Sequence, residues 1–310
     1  MTRAELVEAA RLSIAHGSKS FAAASRLFDP ATRERAWLLY AWCRRCDDIA
    51  DGQEGGGAMA PVADPLARVA EIERLTDAAL AGETTGEPAF DALGIVVRET
   101  GLPHRWPRDL LAGFRLDAEE WRPRTTDDLH RYCYHVAGVV GCMMAVVMGV
   151  APDDDATLDR ACDLGMAFQL SNIARDLSED DAAGRSYLPQ EWLVELGIPP
   201  GEQLRPSYRP RLAVLARRLA DEAARFEASA RIGTRALPFR SAWAVLAAAN
   251  IYGAIGREVA ARGAGAWDRR VTTSKAQKAG FIARAGWQAS RRHTADWPAS
   301  RDADLWTRPR

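Results

Sequence analysis

Apolar side chains recur at helical spacing through almost the whole chain, and this periodicity limits the possible folds more than any other feature. Trp37, Leu38, Tyr40 and Ala41 continue a pattern toward Ile49, and Leu212, Leu215, Ala216 and Leu219 repeat it later. Residues three and four apart lie on one face of a helix, whereas strand-like alternation is scarce here, so the sequence predicts an all-α protein. Breaks fall at Asp29-Pro30, at Gly52 to Pro65 with its Gly55-Gly56-Gly57 run, at Gly82 to Pro88, near Pro103 and Pro107, at Pro123, around Pro152 and at Gly197 to Pro210. They delimit roughly ten helices. No composition shift separates two halves, so one domain is expected over 1–291. The remainder, 292–310, carries Pro298, Pro309 and several charges and reads as an irregular tail.

A chain of 310 residues with 47% hydrophobic side chains can bury a large core, which excludes collagen-like, disordered and disulfide-scaffold classes. Its 41 basic and 42 acidic residues leave a formal charge of -1. No bulk positive field draws it to nucleic acid, and no nucleic-acid partner is expected. The odd count of 5 Cys, and a start over Met1 to Gly17 that mixes Arg3, Glu5, Glu8 and Arg11, point to a reducing, cytoplasmic setting. The apolar run Val136 to Ala151 is shorter than the roughly 20 residues of a spanning helix. It contains Ala137, Gly138, Gly141 and Ala145, and reads as a buried helix.

Two acidic stripes break the local rules. Asp47 and Asp51, with Asp48 between them, lie on one helical pattern four residues apart, and Asn172, Asp176 and Asp180 repeat that spacing in a second segment. Like charges at this spacing destabilise a helix by roughly 0.2–0.5 kcal/mol per pair, unless a cation sits between them. Oxygen-only ligands suit Mg²⁺ or Mn²⁺ rather than Zn²⁺. Mg²⁺ keeps several waters and is commonly held by one or two carboxylates plus substrate phosphates. Two such stripes therefore suit a diphosphate substrate bridged by metal. The alternative for a single stripe is a solvated helix face. Arg44, Arg175 and Arg185 are donors suited to diphosphate oxygens, and Ser18-Lys19-Ser20 forms a short hydroxyl and ammonium cluster.

Other candidates carry less. Cys43 and Cys46 form a C-x-x-C without a second pair or a suitably spaced His, and read as core thiols. His130 and His135, five apart, do not share a helix face and read as packing or polar contacts. No Gly-rich dinucleotide or phosphate loop is present, so no NADPH site is expected. The Arg-rich stretch Arg205 to Arg240 interleaves Asp221, Glu222 and Glu227, as a solvated amphipathic face does.

At these residues the chain resembles the squalene and phytoene synthase family. The resemblance starts at His16-Gly17-Ser18-Lys19-Ser20-Phe21 and runs through Tyr40 to Asp51 and through Tyr132-Cys133-Tyr134-His135 to Gly141. It continues over Asp163 to Gln169, Asn172, Arg175-Asp176 and Gly184-Arg185-Ser186-Tyr187-Leu188-Pro189. The last signature requires Leu-Gly, Gln, Asn, Arg-Asp, an acidic residue and Arg-x-Tyr-x-Pro, and every required position is filled. Ser171, where many relatives carry Thr, and the extra Asp181 depart from the pattern without touching a motif residue.

The resemblance implies an isoprenoid synthase fold: a single helical domain around a central hydrophobic cavity. Two aspartate-rich helices would hold Mg²⁺ (or Mn²⁺) against two prenyl diphosphates. Its first motif falls on Asp47, Asp48 and Asp51, and its second on Asp176 and Asp180 with Asn172 beside them. Diphosphate contacts map to Ser18, Lys19, Ser20, Arg44, Gln169 and Arg175, and Arg185, Tyr252 and Arg270 match later family positions at the substrate. Phe21, Val136, Ala137 and Gly138 would contact the prenyl chain. Tyr132 is the candidate for proton handling, with released diphosphate as the competing base. The implied reaction is head-to-head condensation of two geranylgeranyl diphosphates through prephytoene diphosphate to phytoene, without NADPH. The alternatives are a fifteen-carbon coupling to dehydrosqualene or squalene, or a non-catalytic relative acting as a binding or assembly protein. Peripheral contact with the inner membrane and hand-over to a phytoene desaturase are expected from the lipidic nature of substrate and product.

Overall fold

A computed structural model describes residues 1–17, 19–52, 63–294, 298 and 300–310; the side chains of Lys19 and Ser20 lie outside that description. The described residues contain no strand. The helices are α1 (Arg3–Gly17), α2 (Lys19–Ser25), α3 (Pro30–Asp51), α4 (Pro65–Leu80), α5 (Pro88–Thr100), α6 (Arg105–Ala118) and α7 (Thr126–Cys133). After a π-helical segment, Tyr134–Gly138, come α8 (Val139–Val147), α9 (Asp155–Ala182), α10 (Gln190–Glu195), α11 (Arg209–Gly233), α12 (Phe239–Arg262) and α13 (Lys275–Ser290). The count exceeds the roughly ten read from chain breakers. The excess lies in short pieces such as α2 and α10, of 7 and 6 residues, too short to show a periodic stripe.

Local chemistry sets the helix that carries the first acidic stripe. Asp29 caps α3, its carboxylate accepting from the Ala31 and Thr32 amides at 3.1 and 3.0 Å, and Pro30 occupies the first turn, where no amide is needed. Gly52, at φ 64°, closes the helix in the left-handed conformation, which costs a residue without Cβ little. α3 packs on α1, α4 and α5 and touches α8.

The second stripe rides on α9, 28 residues and so about 42 Å long. It packs on α8, α11, α12 and the π-helical segment, and it buries Leu158, Met166, Leu170, Ile173 and Leu177. The crossing with α8 is made backbone to backbone. A Cβ on Gly141 would lie 2.2 Å from the Ala161 carbonyl oxygen, and one on Gly165 2.2 Å from that of Ala137. The buried helix expected over Val136 to Ala151 is thus composite: its first turn is π-helical, α8 ends at Val147, and Tyr134 turns away to donate to Asp109 at 2.6 Å.

Beyond Ser290 the described residues form no helix, yet they are anchored. Arg301 grips Asp163 of α9 at 2.6 Å, the fully buried Arg308 side chain pairs with Asp155 and Asp159, and Leu305 is buried. The chain end thereby braces the N-terminal half of α9, opposite the half that carries the acidic stripe.

Candidate active site

α2, α3, the π-helical segment with α8, α9 and α12 enclose an apolar cavity of about 420 Å³, within the about 300–1,000 Å³ typical of small-molecule sites. Phe21 and Tyr40 form one wall, their rings 5.5 Å apart; Val136, Ala137, Val140, Gly141 and Met144 form the next. Phe168 of α9 stacks on Tyr252 of α12 at 4.1 Å. The polar end is marked by Gln169 and Asn172 of α9 and by Cys43 of α3, one turn before Asp47. Of the residues expected at the substrate, Phe21, Val136, Ala137, Gln169 and Tyr252 line this space. Gly138 faces α9 instead: a Cβ there would meet the Cys162 sulfur at 2.8 Å, so its small size serves helix packing. Ser18 and the side chains of Lys19 and Ser20 lie outside the described residues.

At the polar end the two stripes approach each other. Arg185 follows α9; its amide donates to the Asp180 carbonyl at 2.8 Å while its guanidinium donates to Asp51 of α3 at 3.0 Å. Asp176 is held by Arg175, whose Nε donates to it at 2.7 Å, and by Arg270 at 2.8 Å; Arg270 also lies 3.8 Å from Glu179. On α3, Arg44 donates to Asp48 at 2.6 and 3.0 Å and lies 3.8 Å from Asp47. Asp48 differs from its neighbours. It is buried and turned with Arg44 toward Leu6, Ala41 and Ala92 of the α1–α3–α5 contact, because one residue along a helix rotates the side chain by about 100°. It does not share the face of Asp47 and Asp51.

A carboxylate not anticipated from sequence completes the site. Asp117, at the end of α6, accepts from the Tyr132 hydroxyl at 3.0 Å and from the Tyr187 hydroxyl at 3.0 Å, and the two tyrosine rings stack at 4.7 Å. No spacing signal in the sequence singles out Asp117, because it reaches the site from another helix. Tyr187 lies within the Arg-x-Tyr-x-Pro signature but carried no assigned role.

The electrostatics follow from this crowding. Enclosure by protein pushes Asp47 up to about 7; Arg44 opposes the rise, and Asp51, Asp48 and Asp117 add to it. Burial likewise pushes Asp180 up to about 7, reinforced by Asp176 and opposed by Arg185. Asp117 is raised chiefly by desolvation, against the pull of Arg185 and its two tyrosine donors, and the buried Tyr132 hydroxyl is pushed well above its usual range. Carboxylates crowded together and repelling one another are stabilised by a cation.

The donor set fits a hard divalent ion. All candidate ligands are oxygens, and the buried Asn172 Oδ1 has no hydrogen-bond partner among the described residues, an acceptor left open beside Asp176. The side chains do not form a closed cage: no group of three or more His, Cys, Asp or Glu among the described residues is arranged to hold a metal by itself. Arginines occupy Asp51 and Asp176 as they stand. The other sequence candidates take structural roles. All five cysteines are free thiols, and four of them are buried. His130 contacts Glu222 at 2.6 Å, and His135 the Asp109 carbonyl at 2.8 Å.

Facing acidic helices across an apolar cavity in an all-α fold define an isoprenoid synthase. The Squalene/phytoene synthase family model matches residues 14–277, and the chain belongs to that family. It is 46% identical to a phytoene synthase of Pseudescherichia vulneris over 100% of both chains. It is equally similar, at 46%, to a 15-cis-phytoene synthase of a Paracoccus species over 98% of each. Among solved structures, a dehydrosqualene synthase bound to a ligand superposes with a TM-score of 0.82 at 26% identity, covering 93% of this chain and 98% of that one.

Proposed function

We propose that this chain joins two geranylgeranyl diphosphates head to head to give phytoene and diphosphate, the entry reaction of carotenoid biosynthesis. The observation that carries the reading is end-to-end identity of 46% with proteins named phytoene synthase, together with an apolar cavity whose lining reaches Cys43 and Asn172, one helical turn before Asp47 and Asp176. Mg²⁺, when bound, would draw the diphosphate off the allylic carbon; Asp47, Asp51, Asn172, Asp176 and Asp180 are the residues to hold it, and Asp48 is the weaker candidate.

The chain's own groups do the rest. Arg175, Arg185 and Arg270 exchange their carboxylate partners for the leaving diphosphate, with Arg44 and Gln169 alongside. The walls from Phe21, Val136, Ala137, Phe168 and Tyr252 exclude water that would quench an allylic cation. Tyr132, whose hydroxyl donates to Asp117, is the residue we assign to hold or relay the proton lost when the cyclopropane closes and again when phytoene forms.

No described helix is long and apolar enough to cross a membrane. A lipidic substrate then calls for peripheral contact with the inner membrane from the cytoplasmic side, and a hydrocarbon product calls for direct hand-over to a phytoene desaturase. The deciding experiment incubates the protein with Mg²⁺ and either geranylgeranyl or farnesyl diphosphate, without NADPH, and identifies the extracted hydrocarbon by mass. A forty-carbon product is expected. The fold likeness to a dehydrosqualene synthase makes a thirty-carbon product the alternative, and a chain that yields neither would be a binding protein.

A further inference from the structure

A second cleft, of about 560 Å³, opens between α11, α12 and α13. Leu246 and Asn250 of α12 face it, while Val245, Ala248 and Tyr252 of the same helix face the apolar cavity; among the described residues lining the two spaces, only Thr234 is shared. Its floor is a closed polar network. Buried Glu227 accepts from Arg231 at 2.5 Å and from Arg257 at 3.2 Å, and Arg231 also donates to Asn250 at 2.7 Å. Gly253 makes room for this floor, since a Cβ there would lie 1.9 Å from Glu227 Oε2.

The wall above the floor is different. Arg284, Trp287, Gln288 and Arg291 follow one another at spacings of three, one and three, which places them on a single face at the end of α13. Arg284 and Arg291 are exposed, Trp287 is 62% exposed, and the Arg291 guanidinium lies 5.3 Å from the centre of the Trp287 ring. Among the described lining residues, Arg231, Arg257, Arg284 and Arg291 set four guanidiniums against one carboxylate, Glu227, which Arg231 and Arg257 already share. A chain of overall charge -1 thus gathers a local excess of positive charge in a concavity, which focuses potential, and guanidinium forks match phosphate oxygens.

We propose that this cleft is a second anion site, separate from the apolar cavity, that takes a phosphate-bearing ligand on Arg284 and Arg291 with Trp287 beside it. The chemistry is shared by free diphosphate and by the headgroup of an anionic phospholipid. The inference stands independently of which hydrocarbon the enzyme makes.

The test titrates the full chain in EDTA with inorganic diphosphate, and separately with vesicles of phosphatidylglycerol or of phosphatidylcholine. The signal is Trp287 emission, isolated as the difference between the native chain and W287F. The R284E/R291E double variant serves as comparison; both side chains lie outside the floor network, and helix content by circular dichroism checks the fold. The expected result is a saturable Trp287 response in the native chain that weakens at least tenfold in the double variant. A response to diphosphate alone assigns a free phosphate ligand, and a response to phosphatidylglycerol vesicles but not phosphatidylcholine assigns a lipid headgroup. No Trp287 response to either probe, or an equal response in the double variant, would overturn the proposal and leave the arginines as solvated structural groups.

Discussion

Arg185 links the two acidic helices through one residue: its backbone amide caps the α9 carbonyl of Asp180 while its guanidinium donates to Asp51 of α3 at 3.0 Å. Both side chains are partly exposed, at 34 and 27%, so the pair contributes at most about 1 kcal/mol to stability. Replacing Arg185 with Gln is therefore expected to leave the melting temperature within a few degrees of the parent while cutting product formation at least tenfold. Parallel thermal melts and hydrocarbon assays check it, and an unimpaired rate would remove Arg185 from the site.

Asp48 and Asp51 take different partners within one motif: Asp48 accepts from Arg44 of its own helix, and Asp51 from Arg185 beyond α9. Asp51→Ala and Asp176→Ala are each expected to abolish product with helix content retained. Asp48→Asn, which leaves the part-buried Arg44 short of its carboxylate, is expected to cost about 1–3 kcal/mol of stability and to leave the Mg²⁺ concentration for half-maximal rate within twofold. Denaturant unfolding and Mg²⁺ titration of the three variants test this. A large rise in the Mg²⁺ requirement of Asp48→Asn would return Asp48 to the ligand set.

The acid–base behaviour of the site has a definite sign. Asp47 and Asp180 sit at about 7 in the folded chain, above the roughly 4 of an unfolded aspartate. The folded state thus binds more protons between these values, and the metal-free chain gains stability as pH falls from 8 to 6. Metal binding requires the deprotonated groups, so Mg²⁺ affinity moves the other way and is expected to be about tenfold weaker at pH 6 than at pH 8 for each proton displaced. Calorimetric titration at the two pH values, with melts in EDTA, measures both slopes; a pH-independent affinity would contradict the reading.

Gly165→Ala places a methyl 2.2 Å from the Ala137 carbonyl oxygen, a contact that only movement of a backbone can relieve. The expected cost is about 1–3 kcal/mol or more, read as a lowered denaturant midpoint, with loss of activity because the α8–α9 crossing carries both the Val136–Ala137 wall and Gln169.

Tyr132→Phe removes one of two donors to the part-buried Asp117 while keeping the ring stacked on Tyr187. A stability loss of about 1 kcal/mol is expected, together with a fall in phytoene and accumulation of prephytoene diphosphate if the hydroxyl handles the final proton. Product analysis by mass decides, and parent-like turnover would leave the released diphosphate as the base.

Much of this arrangement is legible in one dimension because helices repeat locally. The cap at Asp29-Pro30 and the stop at Gly52 place α3 before any tertiary contact is known, and four-residue spacing puts Asp47 with Asp51 and Asn172 with Asp176 and Asp180 on common faces. The same geometry separates Asp48 from that face, a distinction that motif matching passes over and helical phase supplies.

The amino-acid sequence by itself determined the helical class, the family, the two acidic stripes and the apolar run beside them, since each depends on residues within a few positions of one another. Only the tertiary structure decided that Asp117 and Tyr187 join Tyr132, that Arg185 and Arg270 lie on Asp51 and Asp176, and that Gly138 packs against α9 while Ala137 faces the cavity. These relationships join distant segments, and long-range packing depends on side-chain volume and approach angle, which no local period encodes.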